Sequence, residues 1–195
     1  MISRRDLVAS TLSAVGFAAL VQPRTALAQG TELPLTPACG APAAATRRQT
    51  EGPYFKLSSP VKRDLRDDGP GRILVLSGFV LSRQCAPLAG ALVDLWHADD
   101  SGEYDNAGFR FRGHQFTDEQ GRYQFITRIP GLYPGRTRHF HVKVQSPRGP
   151  ILTTQLYFPD EPSNARDGIF ERALLMNIRS ADGGATGRFD FMIAT

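Results

Sequence analysis

The chain has 195 residues, with 23 basic and 19 acidic side chains and a formal net charge of +4. Hydrophobic residues make up 41% of it, which is enough for one ordinary buried core. The small basic excess is not gathered with aromatic residues, so the composition carries no nucleic-acid footprint, and part of that excess is Arg4, Arg5 and Arg24 standing against Asp6 alone in the first 28 residues.

Those residues read as a leader. Ser3-Arg4-Arg5-Asp6-Leu7 precedes an apolar run from Leu12 to Val21, and Ala26-Leu27-Ala28 offers small residues at a cleavage point. The run is too short to span a bilayer, so the mature form has no expected membrane span. The paired arginines match a twin-arginine signal, which implies export to the periplasm or beyond; general secretion with two incidental arginines is the plainer alternative. Cleavage after Ala28 leaves 167 residues.

Residues 29–49, rich in Ala, Pro, Thr and Gly without apolar period, are expected to form an extended arm, and residues 50–195 the folded domain. The chain holds two cysteines, Cys39 and Cys85. An oxidising compartment permits them to pair, and two free thiols are the alternative.

From residue 72 onward, short runs rich in β-branched and aromatic residues alternate with turn signals. The runs are RILVLSGFVLS (72–82), GALVDLWHA (90–98), GRYQFITRI (121–129), RHFHVKVQS (138–146) and ILTTQLYF (151–158). DDSGEYDNAG (99–108), DEQG (118–121), PGLYPG (130–135) and SPRGP (146–150) separate them. Helical period is weak throughout, with at most a turn or two expected in 163–174. This spacing predicts an all-β chain, an antiparallel β-sandwich with long loops and little helix, and residues 77–108 followed by 116–134 resemble prealbumin-like sandwiches. Such sandwiches also serve as secreted binding modules without a catalytic metal, and on fold alone that reading comes first.

Within RTRHFHVKV (136–144), His139, His141 and Lys143 share one face of a strand, neighbours lying roughly 7 Å apart, and Phe140, Val142 and Val144 share the other. The apolar set belongs to the core, so two imidazoles stand side by side on the opposite face. A solvated polar face gives the same pattern, and two histidines do not complete a metal site. Tyr104 and Tyr133 lie in Gly- and Asp-rich loops, where an aromatic ring has less core to join than on a strand. Either is equally readable as a loop anchor. His97, at a strand end beside Trp96, reads as structural, and His114 as a residue near the site or without a role.

Taken in order, TEGPYF (50–55), PLAGALVDLWHADDSGEY (87–104), FTDEQGRYQFITRIPGLYP (116–134), the R-x-x-H-x-H of RTRHFH (136–141) and LTTQLYF (152–158) resemble the intradiol ring-cleavage dioxygenases, the family of catechol 1,2- and protocatechuate 3,4-dioxygenases. The resemblance implies Fe(III) held by Tyr104, Tyr133, His139 and His141. The set is chemically coherent, because phenolates are hard anionic donors suited to a ferric ion. A free phenol, with a pKa of about 10, does not ionise at neutral pH without such a cation. The resemblance further implies a small aromatic diol and O2 as substrates, a muconate-type product, and a catalytic role for Tyr133 as proton acceptor. Arg136 would stabilise charge on the activated ring with Gln155 beside it, and Gly52, Pro53 and Tyr54 would line the substrate pocket. A two-histidine site for another metal, such as copper, is a third reading. The loop from Tyr133 to His139 is shorter than in the cytoplasmic enzymes, and a leader stands where the catechol enzymes carry a helical dimerisation segment. The oligomeric state is left open.

Overall fold

The computed structural model describes residues 44–195. The expected leader, the arm up to residue 43 and Cys39 lie outside the described residues; Cys85 is disulfide-bonded.

Among the described residues, nine strands form two facing sheets. They are β1 (Ile73–Ser82), β2 (Leu92–Trp96), β3 (Arg112–Phe116), β4 (Arg122–Arg128), β5 (His139–Gln145), β6 (Leu152–Tyr157), β7 (Asn177–Ala181), β8 (Gly184–Arg188) and β9 (Phe191–Ile193). One sheet has the order β4-β1-β8-β7, with β9 also on β1; the other has the order β3-β2-β5-β6. Helix is limited, among the described residues, to three single 3-10 turns, at Arg66–Asp68, Pro162–Ala165 and Arg172–Leu174. No helix among them is long and apolar enough to cross a membrane. The β-sandwich expected from the sequence is therefore the observed architecture.

Alternation builds the core. Leu74, Leu76 and Val80 of β1 and Phe125 of β4 meet Val93 and Leu95 of β2, Phe140, Val142 and Val144 of β5, and Leu152 and Leu156 of β6, all essentially out of solvent. At roughly 2 kcal/mol for each fully buried large apolar side chain, this layer is the main favourable term in folding. It also decides which way β5 faces, because slipping the strand by one residue would exchange its apolar set for its histidines.

Three of the unforeseen strands lie at the C-terminal end. β7 and β8 form a hairpin whose turn has Gly183 at a φ of +77°. β8 then runs parallel to the first half of β1 and β9 parallel to its second half, departing from the antiparallel pairing of the other strands. The backbone between β8 and β9 crosses over Gly78, where a Cβ would lie 1.8 Å from the Phe189 carbonyl oxygen. A glycine in mid-strand is required there by close approach. β7 is mostly exposed and β8 is built from small residues, so neither shows the apolar alternation by which a strand is read from sequence. β3, RGHQF, was hidden by its polarity in the same way.

The described end of the arm is fastened down. The Gln49 N–H donates to the Thr153 carbonyl at 2.9 Å and the Thr154 hydroxyl donates to the Arg47 carbonyl at 2.7 Å. Further along, Thr46 N–H donates to the Met192 carbonyl at 2.9 Å. The first two bonds lie along the free edge of β6, which would otherwise present unpaired backbone groups, and the third fastens the segment to β9.

His97 lies on the core side, not with the other histidines. Its Nδ1–H donates to the Ala98 carbonyl at 2.6 Å and its Nε2 accepts from the Thr127 hydroxyl at 2.7 Å. Its ring packs against Phe111 and Phe140. The structural role expected for it is the one observed. Burial pushes its pKa down to about 4, against 6.5 ordinarily. Between those values the unfolded chain binds a proton that the native chain refuses, so stability is lost as pH falls through this window. Metal-free protein should therefore lose on the order of 5 °C in Tm between pH 7 and pH 5. In His97→Asn, which takes up no proton, the fall should be smaller. An equal fall in both proteins would show that the neutral ring at 97 is not its source.

Candidate active site

The outer face of the second sheet carries a cross-strand rung. Register places Trp96 of β2 opposite both Arg112 of β3 and His141 of β5, and His141 opposite Gln155 of β6. On the adjoining outward rung His139 pairs with Tyr157. Side chains on one face of neighbouring strands stand about 5 Å apart, which is why residues distant in sequence become lateral neighbours here.

Both histidines are buried, at 5% and 3% exposure, although they point away from the core. Loops and the 52–55 segment cover them. The Trp96 ring stacks on His141, with centroids 5.0 Å apart and planes within 8°, and Gly52 sits against the ring's edge. A Cβ on Gly52 would lie 3.2 Å from His141 Cε1, and the residue's φ is +72°, so close approach and backbone conformation both call for glycine. Pro53 and Tyr54 follow in a turn.

The two imidazoles face each other through their Nε2 atoms, 3.1 Å apart. His139 Nδ1 lies 2.6 Å from the Thr137 carbonyl, which can only accept, so Nδ1 carries the proton and the Nε2 lone pair is turned into the site. The Tyr104 hydroxyl lies 3.4 Å from that same Nε2. Burial holds the His139 pKa down at about 4 despite the Thr137 carbonyl, and holds His141 well below its ordinary value, with His139 next to it adding to the effect. Both rings are neutral at pH 7, and their nitrogens are available as donors. His141 Nδ1 and Trp96 Nε1 are buried polar atoms with no hydrogen-bond partner. Burial likewise raises the Tyr104 phenol far above the ordinary tyrosine range.

Tyr133 joins from its own loop. Its ring stands at 75° to that of Tyr104, with centroids 5.9 Å apart, and its hydroxyl shares a 2.8 Å hydrogen bond with that of Tyr54. Tyr54 in turn stacks on Tyr104 at 4.3 Å. That hydrogen bond raises the Tyr54 phenol pKa. The loops bearing Tyr104 and Tyr133 meet backbone to backbone. Gly131 N–H donates to the Asp99 carbonyl at 2.7 Å, and a Cβ on Gly102, at a φ of +91°, would fall 2.2 Å from the Leu132 carbonyl oxygen.

Arg136 lies at the side of this group. Its Nη2 donates to Gln155 Oε1 at 2.6 Å and its Nε to Asp167 Oδ2 at 2.9 Å. Gln155 completes the link by donating from Nε2 to the Thr50 carbonyl at 3.0 Å, and its Oε1 also accepts from the Tyr157 hydroxyl. Every residue singled out in the sequence for this site thus gathers in one place: Gly52, Pro53, Tyr54, Tyr104, Tyr133, Arg136, His139, His141 and Gln155. His114 stands apart, bonded through Nδ1 to the Ser59 hydroxyl at 3.0 Å.

Four participants were not foreseen. The alternation of β2 puts Trp96, and not His97 beside it, on the histidine face. Arg112, buried at 2% exposure, donates to the carbonyls of Tyr54 and Asp105 and ties the two tyrosine-bearing segments together. Tyr157 and Asp167 come from regions where nothing in the local sequence distinguishes them from ordinary strand and turn residues. Among the described residues no three His, Cys, Asp or Glu side chains cluster, so a cation here would draw on the phenols as well as the imidazoles.

A family model described as Dioxygenase matches residues 50–191, and the chain belongs to the intradiol ring-cleavage dioxygenase family. Similar proteins include hydroxyquinol 1,2-dioxygenase of Rhizobium sp. (strain MTP-10005), 28% identical over 156 residues covering 66% of this chain and 53% of that protein. Catechol 1,2-dioxygenase 2 of Acinetobacter lwoffii is 30% identical over 171 residues, covering 70% and 62% respectively. The chain therefore spans only part of the length of these curated relatives. Among solved structures, the dioxygenase domain of a dioxygenase carbohydrate-binding protein fusion from the cellulolytic bacterium Streptomyces sp. SirexAA-E is 54% identical with a TM-score of 0.76, covering 78% of this chain and 99% of that one. The 3-chlorocatechol 1,2-dioxygenase of Rhodococcus opacus 1CP is 27% identical with a TM-score of 0.71, covering 77% and 73%.

The contact between the tyrosine loops is open to a paired test. Gly102→Ala adds a backbone clash to backbone strain and should cost about 3 kcal/mol of unfolding free energy. Gly135→Ala has a φ of +79° and open space around it, so it should cost only about 1 kcal/mol. Urea unfolding of both variants checks the difference, and equal costs would mean that the loop contact is not a constraint.

Proposed function

We propose that this chain is a non-haem ferric dioxygenase that cleaves a catechol-type diol between its two hydroxylated carbons, placing both atoms of O2 in a muconate-type product. The observation that supports it most is the convergence of three groups on one point: the Tyr104 hydroxyl lies 3.4 Å from His139 Nε2, which itself lies 3.1 Å from His141 Nε2. The donor set fits a ferric ion: two neutral imidazoles, that of His139 with its Nε2 lone pair turned inward, and phenols that ionise beside a trivalent charge and otherwise stay protonated. Tyr104, Tyr133, His139 and His141 would hold the ion. When bound, ferric iron supplies the charge that takes a diol as its dianion and draws electron density from the ring, opening a ring carbon to dioxygen.

The protein groups then have distinct tasks. The Thr137 carbonyl fixes the His139 tautomer, and Trp96 and Gly52 hold the His141 ring in place. On release, the Tyr133 phenolate would accept one of the two diol protons, the other passing to solvent-derived hydroxide, and Tyr54, 2.8 Å from its hydroxyl, would retain the phenol so formed. Arg136, steadied by Gln155, sets a fixed positive charge beside the activated ring. Gly52, Pro53 and Tyr54 form the wall against which the diol lies. Family membership counts against the alternative of a metal-free binding module. The pattern of residues 1–28 supports export as the setting for this chemistry.

Ferric iron bound to tyrosinate absorbs visible light, so iron-loaded protein should be red-brown and should consume one O2 per diol opened without added reductant. Tyr104→Phe and His141→Ala should each lose the iron or its colour, and full retention in both would contradict the ligand set. Arg136→Ala should keep the iron while kcat falls by about 100-fold or more; unchanged turnover would remove Arg136 from the mechanism. Assays across catechol, protocatechuate, hydroxyquinol and chlorinated catechols identify the ring substituents. A protein that takes up no iron under any loading condition would return the chain to the binding-module reading.

A further inference from the structure

The segment 161–167, which contributes nothing to the donor group itself, holds each residue of the Arg136-Thr137-Arg138 tripeptide. Arg138 Nε donates to Glu161 at 2.9 Å, and its Nη1 donates to the Pro130 carbonyl, where the Tyr133 loop begins. The Thr137 hydroxyl lies 2.6 Å from Asn164 Oδ1 and 2.9 Å from Ser163 Oγ. Asp167 makes the central contacts. Its Oδ2 accepts from Arg136 Nε and from the Thr137 N–H, both at 2.9 Å, and its Oδ1 accepts from the Ile169 N–H at 3.0 Å. The Asp167 side chain is 2% exposed. The Thr137 residue that it holds by the N–H is the one whose carbonyl receives His139 Nδ1–H.

From this we infer that Asp167 is a positioning residue, which aims the Arg136 guanidinium at the substrate ring and references it to His139 through the Thr137 backbone. This rests on the role proposed above for Arg136. A guanidinium is planar and its donors are rigidly forked. With Nε on Asp167 and Nη2 on Gln155, its plane is set. Two effects of the carboxylate oppose each other. Its negative charge offsets part of the arginine's charge, which weakens attraction for an anionic ring, while its geometry holds the arginine where ring charge develops. Both partners are charged and the carboxylate is buried and accepts three N–H groups, so the geometric effect is the stronger: misplacement of a catalytic group by about 1 Å costs about 100-fold in rate.

The two effects separate in Asp167→Asn, which keeps the side-chain shape and removes the charge. Iron-loaded Asp167→Asn should bind iron as the wild type does, with kcat per iron reduced about 100-fold and KM for the diol unchanged or lower. A role confined to closing the turn would instead lower Tm and iron content and leave kcat per bound iron intact; that result overturns the inference. A double-mutant cycle adds a second reading: in an Arg136→Ala background, Asp167→Asn should cost no further kcat, and additive losses would show that Asp167 does not act through Arg136. Asp182→Asn, on the exposed β7–β8 turn, serves as the control and should match the wild type.

Metal-free wild-type protein gives a test independent of turnover. Its Arg136 Nε–H should appear by NMR as a distinct resonance protected from solvent exchange, lost in Asp167→Asn. A freely exchanging Arg136 Nε–H in the wild type overturns the inference, even where Asp167→Asn fails to fold. Wild-type protein that opens no diol would overturn the functional reading, while the NMR result would still decide the Asp167–Arg136 link.

Discussion

The site depends on the pleat of β5. Phe140, Val142 and Val144 are drawn into the core between the sheets, and that burial fixes the strand's rotation with several kcal/mol behind it. His139 and His141 are thereby forced onto the opposite face on one side of the sheet, with no conformational choice left to them. The donors need no machinery of their own at the backbone level, because the same apolar burial that folds the domain aims them.

What the pleat does not supply is cover. A histidine pair on the outer face of a two-layer sandwich would ordinarily be wet, with pKa values near 6.5. Here Trp96, the Gly52–Tyr54 turn and the two tyrosine loops close over the rings and keep them neutral. Keeping three histidines neutral out of water costs stability at mildly acidic pH, and leaving Trp96 Nε1 and His141 Nδ1 without partners costs more. Departures from local consistency of this kind are expected where a protein keeps a working site.

Glycine makes the closure possible. Gly102 and Gly131 let the tyrosine loops touch backbone to backbone, and Gly52 lets the 50–55 segment lie against His141. The polar frame then locks what the glycines admit: Arg112 ties Tyr54 to the Tyr104 loop, Gln155 ties Arg136 to Thr50, and Asp167 ties Arg136 to the His139 strand. The carboxylate of Asp167 shows the balance of forces in this frame. Burial pushes its pKa up, but the N–H groups of Thr137 and Ile169 and the Arg136 guanidinium outweigh burial and hold it below the usual range, so it stays charged and paired.

The strands with apolar alternation, the outward face of His139 and His141 and the loop placement of the tyrosines were legible along the chain, because each rests on a period or a spacing of a few residues; the place of Arg136 was implied by the family resemblance of its R-x-x-H-x-H. The polar β3, the exposed β7 and the small-residue β8 were not legible, since their stability comes from pairing rather than from a pattern of their own. Trp96 beside His141, Tyr54 against Tyr133, Arg112 under Tyr54 and Asp167 under Arg136 were likewise invisible, being contacts across 31 to 79 residues. Local periodicity determined which groups this protein presents. Strand register and loop closure, which are properties of the assembled sheets, decided which of those groups meet and which are kept from water.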